Sequence, residues 1–247
     1  MMFEDFSERI KDFDEYLAEK LKGVDEIKNG DCLLYRKILY VSFLDSLAAC
    51  IYPNAGNKHR FTSLIERFSH WEDRNRVCMI HLGRFCSLNS EPELERIREK
   101  SFSVIKLWQK DADGTSIIRA SKNPEFDEVS SLWTKSKNES GLPYQLNDFK
   151  LTSLLYRLRN SLVHQFQSQG RELGPMLPDQ PFYTLYKTID GSNNLVPSHF
   201  ELVYPSDFLS NLCRTILRNV VEYLENGNIN PFPNYYAGDY WLGELNK

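Results

Sequence analysis

This sequence is short of most features that announce a function. Its five cysteines, Cys32, Cys50, Cys78, Cys86 and Cys213, are spread over 247 residues with no CxxC pair among them. That spacing excludes a zinc ribbon or finger, and an odd number set in apolar runs reads as reduced core thiols. Histidines are few as well, and His59, His70 and His199 have no partner at metal-ligand spacing. We therefore expect neither a metal nor a cofactor. A membrane span needs about 20 nearly uncharged residues; the greasiest stretch here, residues 32–52, is broken by Arg36, Lys37 and Asp45. The N-terminal MMFEDFSERIKDF is charged from its first turn and has no apolar signal core. These absences lead us to expect a cytoplasmic protein with no membrane partner. Basic excess is missing too. A formal net charge of −4 and a pI near 5.8 give no global attraction to nucleic acid, so an RNA partner would need a local patch. Internal repeats, long linkers and low-complexity tracts are also absent.

What the chain does have is apolar residues at helical spacing, in sufficient number for a sizeable core. Phe3, Phe6, Ile10, Phe13, Leu17 and Leu21 step by three or four, on one face of a helix that ends at Gly23. Residues 32–52 are apolar nearly all round, as a central helix should be, and Pro53 follows. Two shorter helices are expected over 60–71 and 74–88. Ser90-Glu91-Pro92-Glu93 then reads as a capping box that opens a helix carrying Leu94, Ile97, Val104, Ile105 and Trp108. Residues 111–145 read as a loop region with one short helix near 126–133. Asn147-Asp148 caps a helix running to about residue 169. Residues 182–189 and 200–204 are β-branched and aromatic and flank the turn-rich Asp190-Gly191-Ser192-Asn193-Asn194, which predicts a β-hairpin at about 182–204. Ser206 caps a last helix with Leu209, Leu212, Ile216, Val220 and Tyr223 on one face, and an aromatic tail covers 228–247. The expected fold is mainly α, one domain over 1–247, with a small β-hairpin before the last helix.

Arg159-Asn160-Ser161-Leu162-Val163-His164 is the most informative stretch. An Arg followed five residues later by a His is cheap: 15 Arg and 5 His in 247 positions give roughly 0.3 such pairs by chance. This chain has two, the other being Arg76-Val77-Cys78-Met79-Ile80-His81, so context must choose. At about 100° per residue, Leu151, Leu155, Leu158, Leu162 and Phe166 form one apolar stripe. Arg159 lies on its flank and His164 nearly opposite, with about 140° between them. Tyr156, Asn160, Val163 and Gln167 fall in that sector, so one side of the helix presents polar groups fit for recognition or catalysis. The Arg76 stretch encloses apolar residues and follows an irregular charged segment, which makes it a structural pair.

LRNSLVH resembles the Arg-polar-x-x-x-His motif of the HEPN (higher eukaryotes and prokaryotes nucleotide-binding) family, with Asn160 in the polar slot. The similarity is sharp over about 15 residues; the Leu44-Asp45-Ser46-Leu47 and Arg60-Phe61 helices resemble HEPN-like proteins more loosely. It implies a HEPN-like helical bundle, RNA as substrate, and a homodimer that pairs two motifs across its interface. It further implies a role in stress response, toxin action or anti-phage defence, with an antitoxin or regulatory protein as partner. The Tyr found two residues after the His in toxins silenced by nucleotidyltransferase antitoxins is missing here, where Gln165-Phe166 follow.

The residue chemistry suits metal-independent RNA cleavage, in which the 2′-hydroxyl is deprotonated, the leaving 5′-oxygen is protonated and phosphate charge is stabilised. His164 suits general acid or base catalysis at neutral pH. Arg159 can fork onto two phosphate oxygens, and Asn160 can orient the phosphate or the imidazole. Tyr156, Arg157 and Gln167 are the candidate substrate contacts. Asp45 reads either as an acidic assistant or as a hydrogen-bonded buried group. Arg157, Arg171, Arg214 and Arg218 read as a phosphate-binding patch or as solvated helix faces, and the tail aromatics Phe232, Tyr235, Tyr236, Tyr240 and Trp241 as base-stacking or packing groups. Two functions follow: a HEPN-type endoribonuclease, or a non-catalytic HEPN-like module for nucleotide or protein binding.

Overall fold

The structure, a computed structural model, describes residues 5–89, 91–111, 117–133, 143–168, 170, 172, 177–189, 191 and 195–235. Phe3, Ser90, Arg171, Tyr236, Tyr240, Trp241 and the turn residues 190 and 192–194 lie outside the described residues. The fold is mainly α with a small antiparallel sheet. Its elements are α1 (Ser7–Asp25), α2 (Cys32–Ile51), α3 (Asn57–Phe68), α4 (Met79–Leu88), α5 (Glu95–Asp111), β1 (Ile117–Arg119), α6 (Phe126–Ser130), α7 (Leu151–Gln165), β2 (Phe182–Ile189), β3 (Leu195–Val203) and α8 (Ser206–Gly227). They gather into two compact units, one of Met1–Trp71 with Leu209–Lys247 and the other of Glu72–Phe208. Among the described residues, no helix is long and apolar enough to cross a membrane.

In the first unit the stripe Ile10, Phe13, Leu17 and Leu21 is buried, as its spacing requires. Tyr40, Val41, Leu44 and Leu47 of α2, Phe61, Leu64 and Ile65 of α3, and Leu209, Leu212, Ile216 and Val220 of α8 complete its core. The Asp25 carboxylate closes the end of α1. It accepts from the Tyr40 hydroxyl and the Arg214 guanidinium, and from Ser210 Oγ at 3.1 Å. Arg36 satisfies the Asp25 and Ile27 carbonyls at 2.7 and 3.0 Å, replacing partners a helix end lacks. Phe232 and Tyr235 of the tail pack edge-on against Phe13, at 6.3 and 5.2 Å between centroids.

The second unit holds the sheet, in the order β1-β2-β3 with both pairings antiparallel. The predicted hairpin is β2 and β3. Its register shifts between Tyr186 and Lys187, where Pro197, which has no N–H to donate, stands on the facing strand. β1 adds a third strand inside a segment that periodicity reads as loop; three residues are too few to show a period of two. Trp108 of α5 covers the sheet, 5.2 Å from Tyr183 and 6.3 Å from Phe200 between ring centroids.

Two helix starts differ from expectation, for one reason. The helix expected over 74–88 begins at Met79, and the one expected from 147 begins at Leu151. Residues 76–78 are extended and spend their backbone groups on distant partners. Val77 N–H donates to the Pro124 carbonyl at 3.0 Å and Cys78 N–H to that of Phe149 at 2.9 Å, while Leu151 N–H donates to the Arg76 carbonyl at 2.9 Å. A chain segment so paired cannot also make i→i−4 bonds. Asn147 and Asp148 consequently belong to a separate 3₁₀ turn, Leu146–Phe149.

Asn123, only 1% exposed, is the polar hub of this unit. Its Oδ1 accepts from Met79 N–H at 3.0 Å, capping α4, and its Nδ2 donates to the Ala120 carbonyl at 2.8 Å and the Tyr183 hydroxyl at 2.7 Å. Asn123→Ala should lower stability by roughly 2–4 kcal/mol, because it removes three buried hydrogen bonds and a helix cap. Urea denaturation checks this; a change below about 0.5 kcal/mol would mean that water replaces the amide.

Candidate active site

The second unit contains a cleft of about 1020 Å³, at the top of the roughly 300–1,000 Å³ range of ligand clefts. One wall is α7, whose residues Leu154, Arg157, Leu158, Ser161, His164 and Gln165 line it. These positions recur at three- and four-residue steps and so share one helix face. α4 lines it with His81, Arg84, Phe85 and Leu88, and the 200–204 segment adds Glu201, Leu202 and Tyr204. Gly170 sits at the rim with φ +81°, and a Cβ there would stand 2.3 Å from the Leu202 carbonyl oxygen, so only glycine lets the chain pass.

The motif residues are brought together. Arg159 Nη1 donates to Asn160 Oδ1 at 2.9 Å and meets His164 Nε2 at 3.4 Å. A guanidinium has no acceptor, so in this contact Nε2 supplies the lone pair. Arg159 is buried, 9% exposed, whereas His164 is exposed on the cleft. The arginine thus approaches the imidazole from the helix's inner side and holds it.

The open cation on α7 is Arg157. It lies 4.9 Å over the Tyr144 ring, 3.5 Å from Asp148, with 44% of its side chain exposed. Arg159, expected to grip phosphate, is engaged within its own helix, and Arg157, expected as a substrate contact, presents its guanidinium to the cleft. Asn160 lines the cleft; Tyr156 is half-buried and Gln167 exposed, and neither is among the described lining residues. Gln167 misses it because α7 stops early. Phe166 caps the helix in the left-handed region at φ 53°, and its N–H donates to the Ser161 carbonyl. That turn also takes Phe166 out of the apolar stripe, and it is 66% exposed.

The other Arg…His stretch divides in two. Arg76 is structural: its guanidinium bonds Asp73 at 2.6 Å, Glu125 at 2.9 Å and the Asn123 carbonyl at 2.6 Å. His81 is not part of that frame. It is exposed and lines the same cleft as His164, a placement that periodicity alone does not reveal. Its Nδ1 faces Cys78 Sγ at 3.0 Å, and that sulfur accepts from the Tyr183 hydroxyl at 3.1 Å. Nε2 of His81 has no protein partner among the described residues.

Burial alone would push the Cys78 thiol up, but the charge and hydrogen bond of His81 and the bond from Tyr183 outweigh it and hold the thiol below its ordinary value. The sulfur's charge in turn raises His81, against the opposing effects of burial and of Arg157. Asp45, by contrast, belongs to the first unit, where it stands 3.7 Å from Arg60. Arg214 and Arg218 also belong to that unit, Arg214 paired with Asp25. Among the described residues, no group of three or more His, Cys, Asp or Glu is placed to share a metal ion.

Cys78 is fully buried, so its sulfur supports His81 rather than acting as an open nucleophile. Burial also pushes Cys50 and Cys86 up to about 11, and raises Cys213 well above the ordinary thiol range. Only Cys32 is partly exposed. Brief alkylation of the native protein should therefore modify Cys32 alone, as read by peptide mass spectrometry. Rapid labelling of Cys78 in the folded chain would show that its sulfur opens to the cleft. No family model, curated protein or solved structure matches this chain.

Proposed function

We propose that the protein is a metal-independent endoribonuclease of HEPN type, a mainly helical domain that cleaves RNA by attack of the 2′-hydroxyl. The observation that carries this reading is Arg159 Nη1 between Asn160 Oδ1 and His164 Nε2, with that histidine open to a cleft. The contact marks Nε2 as the nitrogen with the lone pair, and it takes the 2′-hydroxyl proton once Arg159 turns from it to the phosphate. Arg159 orients the ring before reaction and then brings its charge to the phosphorane-like transition state, with Asn160 as its remaining partner. Arg157 binds phosphate directly, and the aromatic surface of Tyr144 beside it suits a base or ribose. Arg84 and Arg157 are the cations available to RNA phosphate in a cleft that also holds Asp148 and Glu201. Stress response, toxin action or anti-phage defence, with an antitoxin or regulatory partner, is the setting the HEPN resemblance supplies. In its usual form that resemblance also makes the protein a homodimer.

The net charge of −4 favours the second reading, a non-catalytic HEPN-like nucleotide- or protein-binding module. Cleavage decides between them. Single-stranded RNA incubated with the protein in EDTA should yield 2′,3′-cyclic phosphate and 5′-hydroxyl ends. His164→Ala should cost about 10²–10⁴-fold in rate, and Arg159→Ala a comparable factor. Arg159→Lys should recover little, because an ammonium cannot present the planar fork that matches two phosphate oxygens. Arg76→Ala should lower the unfolding midpoint while leaving the rate of the folded fraction nearly unchanged. A broad RNA panel left intact by the folded protein would transfer the assignment to the binding module.

A further inference from the structure

General acid–base cleavage of RNA needs two proton-transfer groups, and His164 is one. Resting on the ribonuclease reading above, we infer that His81 is the second, acting within the same chain as general acid to the leaving 5′-oxygen. The two histidines line one cleft from different helices, His81 on α4 and His164 on α7. Arg157 connects them. It stands seven residues before His164 on the same face of α7, about 10 Å along the axis, and lines the same cleft as His81, on which its charge acts. A phosphodiester held by Arg157 would meet imidazoles from two helices.

The surroundings assign the roles. His164 Nε2 meets a donor that cannot accept, so it offers a lone pair. His81 Nδ1 meets a sulfur that the Tyr183 hydroxyl already donates to, and Asn123 Nδ2 donates to that hydroxyl in turn. With Nδ1–H held by Cys78 Sγ, the free Nε2 carries the transferable proton. In the reaction Arg159 turns from His164 Nε2 to the phosphate, the freed Nε2 lone pair takes the 2′-hydroxyl proton, and the 2′-oxygen bonds to phosphorus. The bond from phosphorus to the 5′-oxygen breaks, and the His81 Nε2 proton goes to that oxygen. Exchange with water then returns both rings to their starting forms. Cys78 is a positioning residue: it touches His81 and not the substrate.

A leaving group that needs no proton tests this. RNA carrying a bridging sulfur at the 5′ position leaves as a thiolate, so loss of a general acid should not matter for it. Wild-type protein should cleave both the oxygen and the sulfur substrates in EDTA. His81→Ala, and His81→Asn, which keeps a donor for Cys78, should slow the oxygen substrate about 10²-fold or more and the sulfur substrate less than about threefold. His164→Ala should slow both. Cys78→Ala should lose less than His81→Ala on the oxygen substrate and be rescued by sulfur in the same way, which a merely structural defect would not be. An equimolar mixture of His81→Ala and His164→Ala should stay inactive if both groups serve one chain's substrate. The inference is overturned, with the ribonuclease reading intact, if folded His81→Ala cleaves ordinary RNA at the wild-type rate, loses equally on both substrates, or is complemented by His164→Ala. Wild-type protein that cleaves neither substrate overturns both.

Discussion

The extended residues Arg76–Cys78 are the constraint on which the second unit depends. Their backbone groups bridge the segment ending at Pro124 and the one running from Phe149 to Leu151, as two isolated β-bridges, Arg76 with Glu125 and Val77 with Lys150. Two helices start at this seam, α4 immediately after Cys78 and α7 immediately after Lys150. Helices that leave a common seam have their first turns in fixed register, so residues a given number of turns along them face predictable partners. His81 lies in the first turn of α4, and Arg157 and His164 lie two and four turns along α7. Arg76 tightens the seam, since its guanidinium binds Asp73, Glu125 and the Asn123 carbonyl together. Five fixed donors in one plane suit such a junction better than an ammonium would.

The chain buries a polar string, Asn123–Tyr183–Cys78, beside Trp108 and Phe200, and it ends on the exposed His81. Burying polar groups costs several kcal/mol unless each finds a partner, and here the Asn123 amide, the Tyr183 hydroxyl and the Cys78 sulfur are all engaged. An apolar core of the same shape would have been cheaper. What the string adds is orientation: it leaves one edge of the His81 ring toward the cleft and fixes the other on sulfur. Arg159 does the same for His164, although by a shorter route through a single guanidinium.

Local periodicity made much of this fold legible. The Ile10–Leu21 stripe, the central α2, the hairpin and α8 are all visible because their signals are contained in the segments themselves. What remained hidden depends on partners far along the chain. The late starts of α4 and α7 come from hydrogen bonds between residues 47 to 75 positions apart, which no window of apolar spacing contains. β1 is too short to show alternation, and its pairing with β2 spans the intervening α6 and α7. Within the site, spacing placed Arg159, Asn160 and His164 on one side of a helix, and the geometry joins them. It set both Arg157 and Arg159 toward substrate, whereas Arg159 is buried and bonded within α7, because a helical wheel locates Cα directions and a long guanidinium reaches well round the helix from its Cα. His81 was passed over because its cleft is assembled from α4, α7 and the 200–204 segment, and only the fold brings those together.

The two Arg-x-x-x-x-His stretches end up with the same division of labour. In each, the arginine is held by its own surroundings and the histidine is exposed on the cleft, although residues 76–78 are extended and residues 159–164 are helical. The asymmetry follows from what each side chain needs. A guanidinium is charged at every relevant pH and has five donors, so it can be taken out of bulk solvent wherever carbonyls, carboxylates or a ring nitrogen meet those donors. An imidazole that exchanges protons must keep one nitrogen toward substrate or water, and its other nitrogen is free to be gripped. Here the grip differs: a donor that only donates meets His164 Nε2, and a sulfur meets His81 Nδ1. Two like groups thus stand on the lining of one cleft, each gripped on one nitrogen by a different chemistry.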